Sequence, residues 1–545
     1  MRAWARRRSA RVLSRLLGLP APRSDYTVQQ VGIPMLDGIE LTADLYAPTS
    51  QPVGTLLIRG PYGRGFPLSV IFAALYAARG YQVVLQSVRG TFGSDGSFEP
   101  VVHEADDGAD TVTWLRRQPW FTGRFATIGL SYLGFTQWAL LSDPPPELAA
   151  AVITAGPHDF GFSTWGTGTF TINDFLGWCH LIANQEDRNR IRTGIRQLTA
   201  WRKVARVAGE APLGAAARAL LGNGAPWFES WLEHPEPSDA FWAPLRCDAA
   251  LERAEVPVLL IGGWQDVFLQ QTVQQYRRLR DRGVDVALTV GPWTHTELLT
   301  KALPVTTRES LSWLDNHLGT GSATPRPARV RVFVAGQGWL GLPDWPPATG
   351  EHALYLQPGG GLTPSPPTTQ ASAQPPATFR YDPAHPTPTV GGRLLSPNGG
   401  YRADTRLARR GDVLSFTGEP LTEDLCVHGN PIVELQHSAD IPDVDVSVRV
   451  SEVDTRGRAR NVSDGYRRLH GAAVDRNLVR VELDPIAHRF RAGSRIRVMV
   501  AGGSHPRYAR NLGTGEPVAT GSRMRPAVQA VHVGSSRLLL PVLGR

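Results

Sequence analysis

Lysine is almost missing from this chain, which has it only at Lys203 and Lys301, so nearly all the positive charge behind a net charge of +8 is arginine. The arginines are scattered through every region apart from a cluster at the N-terminus, whereas a nucleic-acid binder concentrates basic residues on one element with interleaved aromatics. Nucleic acid is therefore not an expected partner. Cysteine is equally sparse. Cys179, Cys247 and Cys426 form an odd set without CxxC spacing, which excludes a disulfide framework or a zinc knuckle and fits a reducing, cytoplasmic compartment. No window has the ~18 consecutive apolar residues of a membrane span. The apolar stretch Val12 to Leu19 is broken by Arg15 and closed by Pro20, short of the roughly 7 to 15 uninterrupted residues of a secretory core. Residues 1–24 are expected to be a basic arm, partly disordered or amphipathic, without stable membrane insertion.

What remains is ordinary for a packed enzyme: 42% hydrophobic and 19% charged residues in 545. That length suggests about three folding units at roughly 150 residues each. Strands on either side of Asp37-Gly38 read as a hairpin with a tight turn. Apolar runs then alternate with amphipathic stretches: Gly54 to Arg59, a helix over Leu68 to Arg79, Tyr81 to Ser87, a helix over Ala105 to Arg117, Ala126 to Leu130, a helix over Tyr132 to Leu141, and Ala149 to Thr154. Short β-branched runs between helices predict a parallel sheet.

The alternation stops after Gly156. Residues 159–245 carry many aromatics on segments of helical spacing and read as an inserted helical domain. The α/β pattern resumes at Val256 to Ile261 and continues through Val284 to Val290 and a helix over Arg308 to Leu318. Beyond Gly319 strands dominate, and Thr363 to Thr389, rich in Pro, Ser and Thr, reads as a long surface connection. Evenly spaced runs such as Ile432 to Gln436, Val444 to Val453 and Arg495 to Val500 predict a sandwich or jelly roll. The expected division is 25–158 with 246–322 as the α/β part, 159–245 as a cap and 323–545 as the β domain.

The segment Ala126-Thr-Ile-Gly-Leu-Ser-Tyr-Leu-Gly134 passes from an apolar strand into a helix with Ser131 at the corner, the arrangement of a nucleophile elbow in an α/β-hydrolase. Gly129 is needed there because a side chain would meet neighbouring backbone. The Tyr132 amide, at the helix start, points at an oxyanion formed on a carbonyl that Ser131 attacks. Leu133 stands where GxSxG has its second glycine, and Gly134 follows one place later, so a plain helix-capping serine is the alternative.

A serine hydroxyl needs a base, and in this fold the order is serine, acid, histidine. Asp266 follows the strand that begins at Val256, and His295 follows the strand that begins at Val284; both fall where the carboxyl edge of an open sheet collects catalytic groups. Asp266 could instead cap the helix beginning near Phe268, and His295 could be a turn residue. His103, ahead of Glu104, Asp106 and Asp107, competes as a base but reads as a helix cap. Tyr62, in the loop Arg59-Gly-Pro-Tyr-Gly-Arg-Gly65, lies where the second oxyanion donor arises, and its alternative is simple packing. The loop lacks the lysine-serine ending of a P-loop and the GxGxxG spacing, so no nucleotide, other cofactor or metal is expected. Cap aromatics such as Trp165 and Phe170 are candidate substrate walls, their alternative being the more frequent role of core residues. Asn461-Val-Ser463 matches a glycosylation acceptor and reads as chance.

The motifs GPYGRG, SVRGTFGSDGSF, EADDGADTVTWLRRQPW, GLSYLGFTQWAL, GGWQDVF and GPWTHTEL resemble the cocaine esterase-like hydrolases of the X-Pro dipeptidyl-peptidase group, peptidase family S15. The resemblance runs from about Asp25 to the C-terminus, where FTGEPLTEDLCVHGNPIVELQHSADIPDVDVSVRVSEV and SHPRYARNLGTGEP look like that group's β domain. It implies an α/β-hydrolase domain, an inserted helical cap and an all-β jelly roll of the galactose-binding-like kind. It also implies Ser131 as nucleophile, Asp266 as acid, His295 as base, and an oxyanion hole from the Tyr62 hydroxyl and the Tyr132 amide. Gln265 and Thr294 depart from the tyrosine and serine common at those positions, which bears on substrate preference. A serine hydrolase of small acyl esters, amides or short peptides is the expectation, with X-Pro dipeptide release as one alternative and a carbohydrate-binding scaffold with a vestigial triad as another; a homodimer is compatible with the sequence.

Overall fold

The computed structural model describes residues 11–187, 190–319, 326–368, 374–471 and 475–544. The first ten residues of the basic arm, the expected boundary at 322/323 and residues 369–373 of the long connection lie outside them. The chain divides into two compact units, Met1–Phe160 with Ala240–Gly263 and Phe268–Arg331, and Gly161–Asp239 with Trp264–Val267 and Val332–Arg545.

The first unit is built on a sheet in the order β1-β2-β4-β3-β5-β6-β7-β8, where β1 is Tyr26–Pro34, β2 Glu40–Pro48, β3 Gly54–Gly60, β4 Tyr81–Ser87, β5 Phe125–Leu130, β6 Leu148–Thr154, β7 Val258–Gln265 and β8 Val286–Thr294. The opening hairpin is antiparallel, with Pro34 opposite Glu40. Its turn is one residue longer than the tight turn expected: Met35 pairs with Ile39, and Gly38, at φ 89°, takes the left-handed position that a three-residue loop requires. From β4 through β3, β5, β6 and β7 the strands are parallel. β3, β4, β5 and β6 are buried at every residue, as strands covered on both faces must be, which is why they read as unbroken apolar runs. The sheet order jumps from β6 to β7 across more than a hundred residues of insertion, so one sheet is interrupted by the cap.

The expected helix over Leu68 to Arg79 is a wide π turn, Ser69–Ala74, continued by Leu75–Ala77. In the described part of the N-terminal arm, residues 11–16 are helical, Leu13, Leu17 and Leu19 pack on the sheet's core, and the buried Arg79 donates to Ser14 Oγ at 2.9 Å and to the Pro20 carbonyl at 2.6 Å. Of the two forms expected for the arm, partly disordered or amphipathic, this part takes the amphipathic one and docks on the first unit.

The second unit joins the cap helices to an all-β domain whose strands form one 12-stranded sheet folded around a common core that includes Phe379, Val448, Val498 and Leu538. The 17-residue strand Ala527–Leu543 holds it together, pairing with Ala377–Tyr381 at its start, with Ile432–Ala439 from Gln529 to Leu539 and with Thr349–Leu356 toward its end. The expected surface connection therefore contains a paired strand, Ala377–Tyr381. Main-chain N–H groups of the β domain donate to the cap: Ala509 N–H to Phe170 O at 2.8 Å, Arg468 N–H to Thr167 O at 3.1 Å, and Leu395 N–H to the buried carboxylate of Asp174 at 2.7 Å. No helix among the described residues is long and apolar enough to cross a membrane.

Candidate active site

Ser131 lies between β5 and the helix Tyr132–Leu141 with φ 62° and ψ −121°, a region that non-glycine residues occupy only under strain. It stands at the helix N-cap yet makes no side-chain capping bond, so capping does not account for it. Its backbone is held instead: Ser131 N–H donates to Thr154 O at 3.0 Å, and Ser131 O accepts from Gly134 and Phe135 at 2.8 and 3.1 Å.

The glycine displaced from the usual motif has a local cause. A Cβ at Gly129 would lie 2.5 Å from the Leu133 Cβ and carbonyl, and one at Gly134 would lie 2.6 Å from the Gly156 Cα. Close approach to backbone is thus required at 129 and 134. Leu133 is tolerated because it packs over Gly60, where an added Cβ would come within 2.4 Å of the leucine side chain. Gly134→Ala should cost about 1–3 kcal/mol by overpacking backbone against backbone. Urea unfolding measures it, and an unchanged midpoint would remove the close approach as the reason for this glycine.

Tyr132 contributes its amide at the first helical position, where N–H groups have no acceptor within the helix. Its hydroxyl is engaged elsewhere, donating to Glu104 Oε1 at 2.7 Å and accepting from Val101 N–H at 2.8 Å. Burial pushes the phenol well up and the neighbouring Glu104 charge adds to the rise, so it remains a protonated donor. Glu104 is itself buried against Arg59, with 3.1 Å between Oε2 and Nη2, while Arg59 donates to Glu104 O and to Gln86 Oε1. This network ties the helix Glu104–Arg116 to β3, β4 and the elbow. Residue 103 occupies that helix's N-cap without a side-chain cap bond, so the expected capping role of His103 is not seen; Glu104, Asp106 and Asp107 in the first turn complement the helix dipole instead.

Tyr62 sits in the loop after β3, its ring edge-on to Tyr132 at 6.4 Å between centroids. Gly63, at φ 79°, brings the backbone against the Phe92 ring, and Arg64 fixes the loop by bonding Asp44 Oδ1 at 3.1 Å, Ser87 Oγ at 2.5 Å and Phe92 O at 3.0 Å. His295 follows β8 directly, is buried, and packs edge-on against Phe268 at 5.4 Å. β5, β6 and β7 are parallel, so their carboxyl ends open at one edge; Ser131 follows β5, and β7 leads directly to Asp266.

Asp266 lies in the stretch Trp264–Val267, which groups with the second unit, and is fully buried. It is not a helix cap: the cap position of Leu269–Asp281 is Phe268. Trp264 Nε1 donates to Phe333 O at 2.7 Å, Gln265 Oε1 accepts from Asn461 Nδ2 at 3.5 Å, and Val267 O accepts from Arg393 Nη1 at 3.0 Å. Gln265, the departure from tyrosine, is thus spent on the β domain. Asn461 and Ser463 are buried in a strand, which leaves no room for a glycan.

The cap aromatics correct one expectation. Trp165 is 1% and Phe170 0% exposed, and they pack on each other at 5.2 Å with Trp165 Nε1 donating to Trp231 O. They form the cap's own core rather than a substrate wall. Arg59, Arg64, Glu104 and Arg393, which support the candidate site, carry little signal in the sequence: Arg59 stands near the end of the buried strand β3 and Arg64 in the loop after it, each a lone charge beside apolar residues.

Residues 37–297 match the family model described as X-Pro dipeptidyl-peptidase (S15 family), and residues 323–538 the model for the X-Pro dipeptidyl-peptidase C-terminal non-catalytic domain. A cocaine esterase from Rhodococcus sp. (strain MB1 Bresler) is 31% identical over 96% of this chain and 99% of its own length. The chain belongs to the S15 family. As an S15 protein it is a serine hydrolase, either an esterase or a dipeptidyl-peptidase, and not a bare scaffold. The S15 fold is shared with two solved structures, each at a TM-score of 0.81 and covering 96% of this chain and 98% of the other: an aminopeptidase from a marine sediment Thaumarchaeota archaeon, 25% identical, and an alpha-amino acid ester hydrolase, 24% identical.

Proposed function

We propose that the enzyme cleaves acyl esters through a covalent acyl-enzyme, with Ser131 as nucleophile, His295 as general base and Asp266 as the acid that orients the imidazole. The observation that carries this reading is the left-handed backbone of Ser131 between a buried strand and a helix. Ser131 Oγ attacks the carbonyl carbon while His295 takes its proton. The oxyanion is held by the Tyr62 hydroxyl and the Tyr132 amide. Collapse expels the alcohol, which leaves with the proton from His295, and water then repeats the sequence to release the acid. No metal or cofactor enters a step.

Support for an ester substrate comes from the full-length similarity to a cocaine esterase. A second reading, dipeptide release from X-Pro peptides, is favoured by the family model over residues 37–297. Comparing kcat/KM on a p-nitrophenyl acyl ester and an X-Pro p-nitroanilide separates them: the ester should be preferred, and a preferred anilide would transfer the assignment to the peptidase reading. Tyr62→Phe should lower kcat by ~10²–10³, the usual loss of one oxyanion donor. A wild-type rate in that variant would remove the phenol from the mechanism.

A further inference from the structure

Of the bonds that tie the stretch around the candidate acid to the β domain, the one next to Asp266 on its C-terminal side comes from a buried arginine. Arg393 donates through Nη1 to Val267 O, the residue after Asp266, at 3.0 Å, and through Nε to Asp484 Oδ2 at 2.6 Å. Both members of the Arg393–Asp484 pair are under a tenth exposed. Burial alone would make the guanidinium less basic; the carboxylate of Asp484 beside it outweighs this and holds Arg393 above the ordinary arginine range.

The arginine is also rigidly presented. Gly391 and Gly392 before it are left-handed at φ 63° and 83°; a Cβ on the first would meet Gly400 O at 2.5 Å and on the second Asp464 Oδ2 at 2.4 Å. Gly392 and Gly400 exchange backbone hydrogen bonds at 2.8 Å, and Leu395 N–H is held by Asp174. Behind Asp484 the charges continue: Arg507 lies 3.9 Å from Asp484 and 3.5 Å from Asp464, and Arg449 bonds Asp464 at 2.6 Å. Arg507 belongs to SHPRYARNLGTGEP, a motif that the catalytic steps leave without a role. So many buried charges cost desolvation and are weak grounds for stability alone, which directs attention to what they hold in place.

We propose that Arg393, seated by Asp484, is a positioning residue for Asp266, fixing the main chain beside the acid so that its carboxylate keeps the orientation His295 requires. The proposal rests on the reading of Asp266 as the triad acid. It makes the domain called non-catalytic in the family model a supplier of catalytic geometry. A misplacement of about 1 Å at a reacting group can cost ~10²-fold in rate without weakening binding.

The test uses the full chain and p-nitrophenyl butyrate, with kcat taken per folded protein. Arg393→Met should lower kcat by roughly 10- to 100-fold with KM within about threefold of wild type, and Arg393→Lys should recover part of the loss. Arg468→Met, which breaks the equally buried Arg468–Asp445 pair at 2.7 Å elsewhere in the domain, should lower the melting temperature and leave kcat unchanged. Should Arg393→Met not fold, Asp484→Asn carries the same expectation. A wild-type kcat in folded Arg393→Met or Asp484→Asn, or equal kcat losses in Arg393→Met and Arg468→Met, overturns the positioning role. Full activity in Asp266→Asn would instead overturn the triad reading on which it stands.

Discussion

Ser131→Ala is expected to lower kcat by ~10⁴ or more on any acyl substrate while leaving the thermal melt close to that of the wild type. The fold should survive because every hydrogen bond described at this residue is made by its backbone: the amide to Thr154 O, and the carbonyl from Gly134 and Phe135. Alanine keeps all of them, and it bears the same left-handed strain that serine bears at φ 62°. A residual rate of ~10³–10⁴ over water is expected to remain, because oxyanion stabilisation and binding do not need the hydroxyl. Steady-state kinetics with circular dichroism melts check the pair of expectations. Loss of fold together with activity would make Ser131 a structural residue of the elbow.

Asp266→Asn should lower kcat by about 10⁴ with KM little changed, since an amide can neither fix the required imidazole tautomer nor stabilise the imidazolium that forms in the transition state. The substitution is nearly isosteric at a residue with no exposed surface, so gross unfolding is not expected. Phosphonylation of Ser131 by a fluorophosphonate should slow in parallel, because it draws on the same base. A kcat within tenfold of wild type would show that another group orients His295, or that His295 needs no orienting.

Much of this was legible before coordinates. Central strands such as Tyr81–Ser87 announce themselves as unbroken apolar runs because helices cover both faces, and Val444–Val453 in the β domain reads at its full length. The strand-to-helix corner at Ser131 was legible because an elbow is a local object: strand, tight turn and helix are consecutive from Phe125 to Leu141. Leu133 in the place of a glycine became intelligible only through Gly60 and Gly156, which are distant in sequence.

What stayed hidden is of that long-range kind. Ala377–Tyr381 sits in a Pro-rich stretch whose composition predicts loop, and it is a strand because Ala527–Tyr381 pairing and its register fix it to a distant partner. Trp165 and Phe170 were open between substrate wall and core because aromatic spacing does not distinguish an exposed face from a small domain's interior. The π turn at Ser69–Ala74 has the apolar periodicity of an α-helix, and a one-residue widening leaves little trace in it. Arg393 lies in a Gly-rich segment, GGR, whose glycines signal a turn but not what the turn presents.

The most direct measurement is peptide mapping by mass spectrometry after reaction with a fluorophosphonate, run beside Ser131→Ala. One adduct per chain on the peptide carrying Ser131, missing from the variant, is the expected result. An adduct on a different residue, or stoichiometric labelling that persists in Ser131→Ala, would contradict Ser131 as the nucleophile.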